Sequence, residues 1–363
     1  MGHTKLYIPG PVEVSEKTWK AFTNPMIGHR SKDFQELYGD VQPMLQKTLG
    51  TQRQAFISTS SAWGMMEGAV RNLVSRKVLN CMAGAFSDKW YDVSLKCGKQ
   101  AEALQVEWGS PVLPEMIESH LKTGEFDALT LVHNETSTGT LMPLEAIAEL
   151  KKRYPDVMFI VDTVSSLSAL PIDFDGLGLD LMLAGCQKAF ALPPGITLFT
   201  TSAAAQEKAA GIRDRGYYFD ICEFEKNGEK NMTPSTPGIS HIYALRSKLQ
   251  EFMDEGLENR YARHERLAKK TRKWAQDHGF KLFPDPGYES VTLTCIDNGA
   301  KTDGRTVDVP ALQGAMKRRG FAIDGGYGKI KGKTFRISNM GDETDESMQV
   351  VYDALDESLK EIA

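Results

Sequence analysis

Long apolar runs are missing from this chain: no stretch approaches the roughly 20 residues that a membrane-spanning helix requires, so no membrane partner is expected. The opening segment from Met1 to Ile8 also lacks the apolar core of a secretion signal, and a cytoplasmic location is expected. Cysteine is sparse and odd in number. Its five residues, at 81, 97, 186, 222 and 295, have neither the density of a disulfide scaffold nor the C-x-x-C spacing of a metal pair. The seven histidines include no H-E-x-x-H spacing, so no catalytic metal is expected. Charge of one sign is nowhere concentrated: the net charge is -5 with the basic residues scattered, which leaves no electrostatic footprint for nucleic acid. Internal repeats and low-complexity linkers are absent as well.

What is present is a chain of 363 residues, 41% hydrophobic and 25% charged, long enough for two domains and a sizeable core. From about Gln54 to Thr201, short β-rich runs alternate with helical stretches, the pattern of a parallel sheet covered by helices. The runs are Gln54 to Ser58, Val78 to Met82, Ala101 to Val106, Ala128 to Val132, Met158 to Asp162, Leu181 to Ala184 and Ile196 to Thr200. Several are apolar throughout, as strands buried on both faces should be. Helices are expected over Trp63 to Val74, Asp88 to Lys99, Pro114 to Lys122 and Leu144 to Arg153. The segment Arg213 to Thr236 has no clear period and is expected to be a structured loop. A long helix follows from Pro237 and a second from Glu258 to His278. The remainder reads strand (Ser290 to Cys295), helix (Pro310 to Arg319), strand (Thr334 to Ser338), helix (Asp345 to Lys360). The expected fold class is α/β, a large domain with a mostly parallel seven-stranded sheet flanked by helices plus a smaller C-terminal α+β domain.

Two features carry chemistry. The strand Val157 to Asp162 ends on a carboxylate, and twenty-six residues on, the run Ala184 to Gly195 sets Lys188 between an apolar strand and a Gly/Pro loop. An acid and an amine delivered by two strand ends suit a cofactor needing both an anchor and a counter-charge. Pyridoxal 5'-phosphate is such a cofactor. Lysine can bond its aldehyde if the amine is kept neutral by burial or nearby positive charge, and a carboxylate beside the pyridine nitrogen favours the protonated, electron-withdrawing ring. Taken alone, the pair reads more simply as a solvated strand-end lysine and an aspartate in a helix cap or turn.

The wider pattern decides between those readings. The loop Pro9-Gly10-Pro11-Val12, the segment Ile27-Gly28-His29-Arg30-Ser31, the stretch Val161 to Leu167, the lysine motif and Phe335 to Gly341 occur together and in order. In these five motifs the chain resembles the class V, fold type I aminotransferases, a group that includes alanine-glyoxylate, serine-glyoxylate and phosphoserine aminotransferases. The resemblance implies an arm over residues 1–14 crossing to the active site or the small domain, a large cofactor domain over 15–250 and a small domain over 251–363. It also implies catalytic roles for Lys188 and Asp162, and cofactor binding by Ser61, Ala62 and Trp63 at the phosphate turn. Many relatives carry a smaller or different residue at the Trp63 position. Phe86 falls where relatives stack a ring on the pyridine, Thr136 where they bond the ring hydroxyl region, and Gln187 where they reach the phosphate. Thr236 is implied to reach the phosphate of the partner subunit, which makes a homodimer with shared active sites the expected assembly. Arg336 is implied to grip the substrate α-carboxylate, a task suited to a planar guanidinium. Gly10, His29 and Arg30 are implied near substrate, the last two as a possible receiver for a second anion or as a brace of the N-terminal loop.

The expected partners are therefore a small amino acid and a small 2-oxo acid: alanine or serine as donor, glyoxylate or pyruvate as acceptor. Phosphoserine with 2-oxoglutarate is the alternative within the same chemistry, and aminoethylphosphonate a third. Cysteine desulfurase-like lyases share the resemblance, yet they commonly carry histidine before the lysine, where this chain has Gln187, and need a cysteine on a mobile loop. Gly326 to Thr334 ends in Gly-Lys-Thr but has Tyr327 where a phosphate loop needs glycine, and it precedes a strand, so neither a nucleotide triphosphatase nor a dinucleotide enzyme is expected.

Overall fold

A computed structural model describes residues 2–363. Its centre is a seven-stranded sheet in the order Ala55–Ser58, Thr197–Thr201, Leu181–Gly185, Met158–Asp162, Ala128–Val132, Lys77–Met82, Gln100–Gln105. Thr197–Thr201 runs antiparallel to both its neighbours, and the other pairs are parallel. Because side chains alternate across a strand, the apolar runs divide between two cores. Leu129, Leu131, Phe159, Val161, Met182 and Ala184 face one core, and Ala128, Val132, Met158, Ile160, Leu181 and Leu183 the other. The helices Lys32–Leu49 and Ile239–Glu255 contribute to the first core, Ala62–Leu73 and Ala203–Gly211 to the second.

A smaller antiparallel sheet joins Lys281–Leu282, Leu293–Asp297 and Thr334–Ser338. The helices Leu257–Asp277, Val309–Arg318 and Asp345–Glu361 supply its apolar cover, with Leu267, Leu312, Met348 and Leu355 fully buried. The N-terminal strand Lys5–Tyr7 pairs in parallel with Phe321–Ile323, and the Tyr7 hydroxyl donates to the Ser347 carbonyl at 2.8 Å. The chain then returns toward the large sheet through Pro9 to Val12, whose Val12 N–H donates to the Gln187 carbonyl at 3.2 Å.

The structure corrects the sequence reading in places. The segment Arg213 to Thr236 is not loop throughout: Ile221–Gly228 is helical, capped by Asp220, whose side chain accepts from Cys222 N, and anchored by buried Ile221 and Phe224. The expected helix over Leu144 to Arg153 is α-helical only over Leu144–Ala148 and tightens to a 3₁₀ turn at Glu149–Lys152. The strands at Lys5–Tyr7, Lys281–Leu282 and Phe321–Ile323 and the helix Lys32–Leu49 were not expected.

Candidate active site

The parallel strands of the large sheet end on the same side, and the turns that follow them converge there, as ligand clefts of open α/β sheets do. Ser61 follows Ala55–Ser58, Phe86 follows Lys77–Met82, Asn134 and Thr136 follow Ala128–Val132, Asp162 closes its own strand, and Gln187 and Lys188 follow Leu181–Gly185. These residues line one cleft together with Ala62, Trp63, Met66 and Ser165. About 460 Å³ within this cleft, its open mouth included, is free of protein atoms.

Asp162 is 3% exposed. Trp90 Nε1 donates to its Oδ2 at 3.1 Å and Val164 N–H to its Oδ1 at 2.9 Å. Burial pushes its carboxyl up to about 6, a shift those two donors partly offset. Lys188 is 8% exposed, and burial, reinforced by the Arg336 guanidinium, pushes its amine down to about 7. Its Nζ donates to the Pro9 carbonyl, so the N-terminal loop lies directly over it. Gly10 packs on the lysine stem with φ at 105°, and a methyl group added there would lie 2.6 Å from Lys188 Cδ. Phe86 stands with its ring centre 5.7 Å from Lys188 Nζ.

Glu135 is wholly buried and holds Phe86 in place by capping its helix, Ala85–Lys96. Its carboxylate accepts from Phe86 N at 3.3 Å, Ser87 N at 2.9 Å and the Ser137 hydroxyl at 2.6 Å. An anion at a helix N-terminus is favoured by the dipole as well as by these donors. Thr136 shares a hydrogen bond with the Ser165 hydroxyl. Asn134 donates to the Ser165 carbonyl at 2.9 Å, while its buried Oδ1 has no partner.

Arg336 borders the cleft from the strand Thr334–Ser338 and is 3% exposed. Its Nε and Nη2 both lie 2.8 Å from Asp324 Oδ1, and Nη1 donates to the Thr136 carbonyl at 2.6 Å. Those bonds fix the guanidinium plane and leave N–H donors on both terminal nitrogens. At the other side of the cleft, Ser61 is the N-cap of Ala62–Leu73 but makes no side-chain cap bond, which leaves its hydroxyl and the first-turn N–H groups available to an anion.

Three expected residues lie elsewhere in this chain. Arg30 is exposed and donates to the Thr233 carbonyl at 2.7 Å and the Pro234 carbonyl at 3.0 Å. His29 is half-buried beside it, and neither lines the cleft. Thr236 is exposed on the same loop, which Thr59 anchors by accepting from Gly238 N–H at 3.0 Å. Sequence reasoning missed Trp90, Glu135, Asn134, Ser165 and Asp324. Ser165 stood inside the Val161 to Leu167 stretch and Asn134 and Glu135 directly before Thr136, whereas Trp90 and Asp324 act from positions that no local pattern marks.

A family model described as "Aminotransferase class-V" matches residues 15–298. An uncharacterized aminotransferase of Methanocaldococcus jannaschii is 36% identical over 98% of this chain and 93% of its own length. The serine--glyoxylate aminotransferase of Methylorubrum extorquens is 32% identical over 96% of this chain and 89% of its own. Among solved structures, an alanine--glyoxylate aminotransferase from Nostoc sp. superposes with a TM-score of 0.91 at 28% identity, covering 99% of this chain and 96% of that one.

Proposed function

The chain belongs to the class-V aminotransferases, and on that premise we propose that it passes an amino group from alanine or serine to glyoxylate or pyruvate. It is a transaminase working with pyridoxal 5'-phosphate. The observation that carries the assignment to this cleft is that Lys188 and Asp162 line one buried space with Thr136, whose carbonyl holds Arg336 beside it.

Several features support the fit of the cofactor. Ser61, Ala62 and Trp63 offer an uncapped helix N-terminus to its phosphate, with Gln187 beside them. The unpartnered Asn134 Oδ1 and the Thr136 hydroxyl offer polar contacts to its ring, and Phe86 a face to stack on. When bound, the cofactor supplies an aldehyde for covalent attachment and a ring that withdraws electrons from the substrate. Asp162 then holds a countercharge ready, since a cation brought against a buried carboxylate favours its ionised form. Lys188 Nζ, able to hold or release a proton near neutral pH, would anchor the cofactor aldehyde and, once freed by the substrate amine, carry the proton between the substrate α-carbon and the cofactor. Arg336 grips the α-carboxylate with the donors that Asp324 and Thr136 leave over.

Thr236, exposed with the Thr233 to Pro237 loop, serves the partner's phosphate in a homodimer. Exposed Tyr217, at 92%, and Tyr218 near the same loop are consistent with a covered surface there. A cytoplasmic homodimer is the assembly this reading implies. Arg30 is committed to two backbone carbonyls and does not serve this cleft as a receiver for a phosphoserine phosphate. Cys295 does not supply a desulfuration thiol: it is 2% exposed inside a strand and its thiol is pushed up to about 12 by burial.

The test is replacement of Lys188 by methionine. The cofactor-loaded wild type should show the visible absorbance of the lysine-linked form and K188M should not; persistence of that absorbance in K188M would remove Lys188 from the site.

A further inference from the structure

Lys89 is a cation that the chemistry above does not use. It lies one turn into the helix Ala85–Lys96, just past Phe86, and is half-buried. Its ammonium donates to the Tyr327 hydroxyl at 3.0 Å, and it forms no ion pair among the described residues. Three aromatic rings surround it. The ring centres lie 5.6 Å away for Trp63, 5.7 Å for Phe86 and 5.4 Å for Tyr327, and the first two line the cleft.

Tyr327 relates this cation to Arg336. The tyrosine ring stacks on Phe86, with centres 5.2 Å apart and planes at 16°. Arg336 Cζ lies 5.9 Å from the centre of the same Tyr327 ring. Two cations thus stand within 6 Å of one side chain at the rim of one cleft. One is held rigidly by Asp324, and the other has only a neutral hydroxyl and ring faces as partners. A cation held without an anion among aromatic rings favours an incoming anion, because those walls lower the local dielectric and strengthen the attraction.

We propose that Lys89, positioned by the Tyr327 hydroxyl, receives the side-chain carboxylate of an acidic amino donor of the aspartate class while Arg336 holds its α-carboxylate. This rests on the transaminase reading and adds a donor class to it. Both cations lie against one ring, Lys89 Nζ 5.4 Å and Arg336 Cζ 5.9 Å from its centre, so a donor with two carboxylates can offer one to each. Alanine and serine use the same Arg336 contact and leave Lys89 to water. The corresponding 2-oxo dicarboxylate is then both the product of this donor and an acceptor for the reverse reaction.

The experiment compares wild type, Lys89→Met and Lys89→Arg, each loaded with cofactor. Methionine keeps an unbranched stem against the rings and removes the charge. Single-turnover rates are measured with aspartate and with alanine, and binding of succinate and of propionate is measured by calorimetry. The expected result is that K89M lowers the aspartate-to-alanine ratio of kcat/KM by about tenfold or more, the worth of one hydrogen bond to a charged group. K89R should retain most of that ratio, and K89M should weaken succinate by a similar factor with propionate unchanged. An unchanged ratio in K89M overturns the proposal, as does a wild type that turns over alanine but not aspartate. If no donor reacts, the transaminase reading fails by itself, and the succinate measurement decides Lys89: selective weakening in K89M supports it, equal binding overturns it.

Discussion

Lys188 illustrates what a functional residue does to the fold that holds it. Its amine is lowered to about 7 in the folded chain against the ordinary 10.5, so between those values the unfolded chain binds the extra proton. Stability of the cofactor-free protein should therefore rise with pH through that window, and below about 7 the fold carries a buried charge. Lys188→Met should remove this rising limb and leave the chain no less stable at neutral pH, which denaturation midpoints measured across the window would check. An unaltered limb in the variant would assign it to another group. Gly10 is the steric counterpart. Alanine there would meet the Lys188 stem at 2.6 Å and strain a backbone at φ 105°, so G10A should lower kcat more than tenfold while the overall fold persists by circular dichroism.

At the scale of elements, the short helix Ile221–Gly228 depends on its cap. Removing the Asp220 carboxylate in D220A should cost about 1 kcal/mol by chemical denaturation, and because Asp220 also lies 2.8 Å from Arg215 Nε, the loop before it should loosen as well. That helix was illegible in the sequence because its two buried apolar residues, Ile221 and Phe224, are too few to set a period. The five-residue strands such as Met158–Asp162 and Ala128–Val132 were legible because each is apolar but for one residue and buried on both faces. Lys5–Tyr7 and Phe321–Ile323 were not, since three residues acquire strand geometry from their pairing rather than from their own pattern. The cleft divides the same way. Asp162 ends a strand and Lys188 follows one, and both could be read there, whereas Phe86 was implied by the family resemblance alone. Asp324 orients Arg336 from 12 residues away, and Trp90 reaches Asp162 from 72, distances only the folded chain closes.

For the whole molecule, the parts that carry the site meet on Arg260. Its side chain is 1% exposed, with Nε donating to the Ser168 carbonyl at 3.1 Å and Nη2 to the Ala189 carbonyl at 2.6 Å. Its Nη1 reaches Glu255 at 3.2 Å and Asp342 at 3.4 Å. One guanidinium therefore ties the turn after Asp162, the turn carrying Lys188 and the loop that follows the Arg336 strand. Arg260→Met should cost about 3 kcal/mol or more, because it leaves buried carbonyls and carboxylates without their donor. It should also release cofactor faster than wild type, measurable by dialysis; unchanged retention would show that the tie serves stability alone.

The account stands most directly on one half-reaction. Cofactor-loaded protein mixed with alanine or serine, without an acceptor, should lose the visible absorbance of the lysine-linked form and regain it when glyoxylate is added. Absorbance that both donors leave untouched, or that glyoxylate cannot restore, would contradict transamination of a small amino acid at this cleft.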